Sequence, residues 1–285
     1  MAISSTDKLF PGRNDFISYV LGALETKTDW TGSMTVRYLQ RAGMAGIIIA
    51  VMYVVNYALS STFAGMQFGD QSLAPIGKML GAAAFGLALV FIYFSRSELL
   101  TSNMMVVSIG MYYRKTNFGR ATRILGLCYL GNLLGSLLVA ALLALSTAID
   151  ATTMAAMQAS VEHKIEYLHH GPMGWIDLIV RAIFCNLMIN LAMAIIYSGI
   201  VKEGFGKAFL ILSAIFVFVF LGFEHSVANT GLFLMVGLQH SIDWLGALGN
   251  VALALIGNFI GGGLLIGIYY AYLNDDAQRN PPDRA

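Results

Sequence analysis

The sequence predicts an all-α membrane protein with six transmembrane helices in a 3+3 inverted repeat, the second and fifth helices broken at the membrane centre. Three observations carry this. Of 285 residues, 57% are hydrophobic and 12% charged, with a mean hydropathy of +0.70, whereas soluble domains run near ~45–50% and ~25%. Six apolar segments reach the ~20 residues that a bilayer crossing needs. Two polar clusters interrupt otherwise apolar segments at related places in the two halves. The composition excludes a disordered chain, a coiled coil and a collagen, and it leaves too few charges to cover a soluble enzyme.

The elements follow in order. Residues 1–36 form a polar N-terminal segment expected to remain uncleaved and cytoplasmic, because it holds no long apolar run. Within it Ile17, Val20, Leu21 and Leu24 recur at i, i+3, i+4 and i+7. That pattern predicts an amphipathic helix from about Asn14 to Lys27, either a membrane-surface anchor or a gate. The apolar segments run from Ala42 to Gly65, Ile76 to Tyr112, Ala121 to Ile149, Trp175 to Ser198, Ala208 to Val236 and Leu248 to Leu273. They make a pore domain over 37–273, followed by a polar tail over 274–285. With both termini in the cytoplasm, thirteen of the seventeen Lys and Arg fall on the cytoplasmic side. That bias sets the orientation of a multi-pass protein in the cell membrane.

Bulk charge and cysteine use narrow the partners. A net charge of +1 provides no steering field for nucleic acid. Cys128 and Cys185 stand in apolar runs and read as packing residues. His163, His169, His170 and His240 are expected in loops on the outer side, and no metal or cofactor site is expected within the spans.

The two halves echo each other. An offset of 126 residues maps Glu98 onto Glu224, Asn103 onto Asn229, Asn132 onto Asn258 and Gly135 onto Gly261. Three spans per half is an odd number, so the second half inserts upside down. The polar clusters are Ser95 to Asn103 and Gly222 to Asn229. A charge at a helix centre costs about 2.5–3.5 kcal/mol on insertion scales, and irregular backbone survives there only where it is buried in protein or lines a cavity. Ser97, Thr101 or Ser102 and Ser226 are candidate caps for the resumed half-helices. Their positive dipole ends would favour a small anion or a dipolar molecule. Glu98 and Glu224 are expected chiefly to satisfy freed backbone N–H groups. Asn132 and Asn258 read equally as helix–helix glue, and Asp177 with Arg181 as an i, i+4 pair.

The stretch Gly222-Phe223-Glu224-His225-Ser226-Val227-Ala228-Asn229 resembles the formate–nitrite transporter family. So do Glu98-Leu99-Leu100-Thr101-Ser102 and Ile256-Gly257-Asn258-Phe259-Ile260-Gly261-Gly262-Gly263. The resemblance spans about Arg37 to Leu273. It implies an aquaporin-like fold, a homopentamer with one pore per protomer, and passive, proton-linked passage of small monovalent anions: formate foremost, then nitrite, hydrosulfide, acetate or lactate. By the same resemblance His225 is the central pore histidine, Thr101 faces it, and Asn258 and Asn229 support it. Phe85, Leu89, Leu100 and Phe218 match two apolar constrictions, and Lys164 matches an outer-vestibule lysine, with a solvated loop charge as the alternative. Leu100 stands where Phe is common, and Arg96 where small or apolar residues are usual.

A small acid crosses an apolar constriction more easily when neutral. The expected course is capture of the anion near Lys164, binding at the half-helix ends and Thr101, protonation or charge stabilisation near His225, and passage as the acid. A neutral-solute channel of aquaporin type, a membrane enzyme and a rocking secondary transporter are the competing classes. The Asn-Pro-Ala pair that marks aquaporins does not occur, nor does a Walker A or dinucleotide fingerprint.

Overall fold

A computed structural model describes residues 13–275; the rest of the two termini, including Lys8, Arg279 and Arg284, lies outside the described residues. Nearly every described element is a helix, as the composition requires, since a helix satisfies its own backbone groups without water. The chain forms α1 (Arg13–Ser33), α2 (Thr35–Ala64), a hairpin of β1 (Gln67–Phe68) and β2 (Gln71–Ser72), α3 (Ala74–Phe94), α4 (Leu100–Tyr112), α5 (Phe118–Ala144), α6 (Ala151–His169), α7 (Gly171–Tyr197), α8 (Gly204–Phe220), α9 (Ser226–Gly237) and α10 (Trp244–Leu273). Five of these, α2, α3, α5, α7 and α10, are long and apolar enough to cross a membrane; α8 and α9 are shorter apolar helices. The segment expected from Ile76 to Tyr112 therefore holds two helices, α3 and α4, and that from Ala208 to Val236 holds α8 and α9.

Helix α6 corrects the reading of residues 151–169 as an outer loop. Asp150 caps it, accepting the Thr153 N–H at 2.8 Å. Its buried face runs through Thr153, Met154, Met157, Val161 and Lys164, a helical period masked by the intervening polar residues. His163 and His169 thus lie on a helix and not in a loop.

Close helix packing depends on glycine at two matched places. A Cβ on Gly135 of α5 would meet the Gly43 carbonyl oxygen of α2 at 1.9 Å, and one on Gly261 of α10 would meet the Ile183 carbonyl of α7 at 2.1 Å. Only a residue without a side chain permits this approach. From Phe259 to Ile268, α10 is π-helical. The widened turn lets Asn186 and Asn190 of α7 press on Gly262.

The apolar stripe of α1 packs on protein. Phe16, Val20 and Leu24 are buried, the ring of Phe16 meets Tyr270 edge-on at 6.3 Å, and Tyr19 stacks on Tyr197 at 4.6 Å. This seating carries Lys27, one turn beyond Leu24, to the linker between α3 and α4.

Candidate functional site

The site is built around two non-helical linkers of the same construction. After α3 the chain turns at Arg96 in the left-handed region (φ 54°), and Ser97 N–H returns to the Ile92 carbonyl at 3.0 Å. After α8 it turns at Gly222 (φ 70°), and Phe223 N–H returns to the Phe218 carbonyl at 2.9 Å. Leu99 and His225 are extended and start α4 and α9.

Each linker is held by one asparagine from another helix. Asn132 Oδ1 accepts the Leu100 N–H at 3.1 Å, while its Nδ2 donates to the carbonyls of Ala42 and Glu98 at 2.8 and 2.9 Å. Asn258 Oδ1 accepts the Ser226 N–H at 3.0 Å, and its Nδ2 donates to Ala182 and Glu224 carbonyls at 2.8 and 3.0 Å. Two buried backbone groups per linker are satisfied this way, each of which would otherwise cost about 1–3 kcal/mol, and the third bond ties the asparagine to α2 or α7. This corrects two expectations. The resumed helices are not capped by Ser97, Thr101, Ser102 or Ser226: α4 begins at Leu99 with no side-chain cap, and α9 is capped by His225. Nor do the glutamates serve the backbone. Glu98 accepts from Lys27 and, at 3.2 Å, from Asn103; Glu224 accepts from Lys164 at 2.8 and 2.9 Å and from Asn229 at 2.5 Å. Lys164 is accordingly a buried partner in an ion pair, not a solvated loop charge. The Asp177–Arg181 pair forms as expected, at 2.9 Å.

His225 and Thr101 meet in the middle, Nε2 to Oγ1 at 3.1 Å. The tautomer follows from the other ring nitrogen. His225 Nδ1 accepts the Ala228 N–H at 3.1 Å and therefore carries no proton. The neutral ring holds its proton on Nε2 and donates it to Thr101, which leaves the Thr101 hydroxyl hydrogen free to donate onward. The carbonyl of Thr101 is fixed in turn by Asn186 and Asn190, each at 3.1 Å.

Three cavities lie in series. One of about 400 Å³ reaches Lys164, Glu224 and His225 and is bordered by Phe85 and Phe218; here it is termed the α6-side cavity. One of about 590 Å³, the α1-side cavity, reaches Lys27 and Glu98 and is bordered by Leu89, Ile92 and Leu99. Between them is a pocket of about 20 Å³ that shares Phe85, Phe218 and His225 with the first and Leu89, Ile92 and Leu99 with the second. Its volume suits about one water-sized guest, and its walls are apolar apart from the imidazole. The ring of Phe218 lies over His225 at 6.1 Å and meets Phe85 edge-on at 6.3 Å.

Of the expected residues, the structure gathers His225, Phe85, Phe218 and Leu89 at this pocket; Thr101 is fully buried, bonded to His225, and borders none of the three cavities. It places Glu98, Glu224, Asn229, Asn258 and Lys164 in the supporting network. Leu100 is buried but borders none of the three cavities; Leu99 takes that place. Sequence reading missed Lys27, Arg41, Ile92, Leu99, Asn186 and Asn190. The repeat offset held a signal for two of them, since it maps Ile92 onto Phe218 and Leu99 onto His225.

Long apolar helices around two polar cavities that converge on an apolar pocket define a helical membrane transport protein. Within that class the chain belongs to the formate/nitrite transporter family, whose sequence model matches residues 16–272. It is 28% identical over 244 residues to the nitrite transporter NirC of Salmonella typhimurium, covering 85% of this chain and 84% of that one. It is also 28% identical over 249 residues to the formate channel FocA of Escherichia coli, covering 79% and 82%. Its fold is similar to that of a solved FNT family ion channel, with a TM-score of 0.77 at 24% identity over 90% of this chain and 98% of the other. A pentameric formate channel solved with formate bound superposes with a TM-score of 0.65 at 21% identity, over 84% and 97%.

Proposed function

We propose that the chain is a six-span pore with 3+3 inverted halves and an aquaporin-like fold, five copies forming a ring in the cytoplasmic membrane with both termini inside. It passes small monovalent anions of weak acids, formate foremost, together with a proton. The observation that carries this is the pocket of about 20 Å³ walled by apolar side chains and by His225, whose Nε2 bonds Thr101. An anion without counter-charge does not enter such a pocket, because an unpaired buried charge is neutralised by protonation first. A one-carbon acid fits the volume once it has lost its water.

The residues divide the work as follows. Lys164, paired with Glu224, gives the α6-side cavity a local positive end without a bare charge. The Thr101 hydroxyl, its hydrogen left free by the His225 Nε2–H, is the donor assigned to the anion's oxygen; because Thr101 borders no cavity, the contact requires its side chain to turn toward the pocket, and protonation of the anion then removes its charge. Because Nδ1 is occupied by the Ala228 N–H, the imidazole acts as a fixed donor, and the acid's proton arrives along the cavities. The neutral acid then passes Phe218, Phe85, Leu89 and Leu99. Support for formate comes from the FocA relative and from the formate-bound structural neighbour; the NirC relative supports nitrite as the next substrate.

Stopped-flow uptake of formate, nitrite, hydrosulfide, acetate and lactate into proteoliposomes, with and without an inward proton gradient, tests the reading. Formate uptake accelerated by the gradient is expected. Glycerol or water flux without anion flux would overturn it in favour of a neutral-solute channel.

A further inference from the structure

Arg96 and Gly222 occupy equivalent places in the two linkers, and both have left-handed backbone, φ 54° and 70°. Glycine adopts this conformation freely, whereas a residue with a Cβ is strained in it. The carbonyl of each is held by an arginine. Arg41 Nε donates to Arg96 O at 2.8 Å, and Arg181 Nη1 donates to Gly222 O at 3.3 Å. The backbone therefore gives no reason for a side chain at position 96, since glycine serves the same turn at 222. A strained residue kept in place points to work done by its side chain.

That side chain borders the α1-side cavity. The cations on its wall are Lys27, Arg41, Arg96 and Lys207, and Glu98 is the one carboxylate among the described lining residues. Lys27 and Arg41 are engaged: both face Glu98, and Arg41 also lies over the Trp30 ring at 4.6 Å. Among the described residues, no hydrogen bond or ion pair engages the head groups of Arg96 and Lys207. Both border the same cavity as Tyr19. The α6-side cavity differs. Its Lys164 faces Glu224, its Arg181 faces Asp177, and its Lys78 sits over the Phe220 ring at 5.0 Å.

We propose that Arg96 and Lys207, with Tyr19 on the same cavity wall, form a docking subsite for a small monovalent oxyanion at the α1-side mouth, with no counterpart at the other mouth. The proposal rests on the anion-passing reading above and adds a directional element to it. Two unpaired cations on the wall of one cavity raise the local anion concentration, and the guanidinium offers two parallel donors to a carboxylate or nitrite. The subsite lowers the half-saturating concentration for flux that starts from the α1 side.

The test uses the full chain and its Arg96→Gly and Arg96→Lys variants. Two measurements are paired: formate flux started from each side of proteoliposomes of known protein orientation, and broadening of the [13C]formate resonance by the detergent-solubilised protein. In R96G the half-saturating formate concentration rises about fivefold for flux from the α1 side and much less from the other. The broadening weakens, and the melting temperature stays equal or rises because the left-handed strain is relieved. R96K retains most of the wild-type behaviour, and added salt erodes the difference. Unchanged half-saturation and broadening in R96G, while the wild type moves formate, overturns the subsite and leaves the channel reading standing. A loss that follows a fall in melting temperature also overturns it. Broadening that depends on Arg96 in a protein that moves no formate supports the subsite and defeats the channel reading.

Discussion

Leu99 and His225 stand 126 residues apart, each at the start of the helix that follows a linker, and border the same apolar pocket. Leu89 with Ile215, and Ile92 with Phe218, are related by the same offset and border it too. The pocket is thus walled by three repeat-related pairs. The scaffolding around it, Asn132 with Asn258 and Glu98 with Glu224, repeats in kind. The histidine does not, because its mate is a leucine. A near-symmetric apolar wall carries one polar face.

Replacing His225 separates its two bonds. His225→Ala removes both the cap on Ala228 N–H and the donor to Thr101, and should cost about 1 kcal/mol of stability for the cap and most of the formate flux. His225→Asn keeps a side-chain oxygen able to cap a helix, and should recover the melting temperature without recovering the flux. Thermal melts and stopped-flow uptake on the two variants check this; equal flux in wild type and H225N would defeat the donor role.

The Lys164–Glu224 pair is buried on both sides, with side-chain exposures of 8% and 3%. Lys164→Met alone strands a carboxylate and should destabilise by about 3–5 kcal/mol, whereas Lys164→Met with Glu224→Gln should recover much of that loss. A double-mutant cycle measured by denaturation in detergent reads the coupling directly.

Asn132→Leu and Asn258→Leu each remove two bonds to backbone groups of one linker and a third to a carbonyl of a neighbouring helix. Both should lose at least about 1–3 kcal/mol, and by similar amounts, because the two asparagines make matching bonds. Hydrogen exchange at the Leu100 and Ser226 amides should rise in the respective variants only.

Asp150 supplies the pH-dependent element outside the spans. The Thr152 hydroxyl first, and then the Thr153 N–H, hold its carboxyl below its ordinary value of 3.8. A depressed folded-state value means that the cap is fully present above the ordinary carboxylate range and is lost as pH falls through the lowered value. The Thr153 amide shift should therefore stay constant near neutrality and move only in acid below that range. Asp150→Asn should leave the first turn of α6 formed at all pH values, since asparagine also caps.

The apolar segments and the two polar linkers were legible because they are written as composition and as a repeat, and the pairing of Asp177 with Arg181 because it is local. The long helix α6 was not, because its apolar face alternates with Glu162, His163 and Glu166 and averages to a polar stretch. Nor were the true partners of the linkers. Serine next to a helix start reads locally as a cap, yet the donors and acceptors came from α5 and α10, whose approach depends on Gly135 and Gly261. Lys27 could not be assigned to Glu98, 71 residues away, without knowing that α1 folds back on Phe16, Val20 and Leu24.

The sequence by itself determined a helical membrane protein with two polar linkers 126 residues apart and a histidine at the second. Those properties follow from hydropathy, spacing and residue type, which need no third dimension. Only the tertiary structure decided that glutamates face lysines, that asparagines carry the interrupted backbone, that His225 is a neutral donor to Thr101, and that Leu99 borders the apolar pocket in place of Leu100. Each of these depends on where a buried polar group finds its partner, and burial and partner are both set by helices distant in sequence that pack against one another.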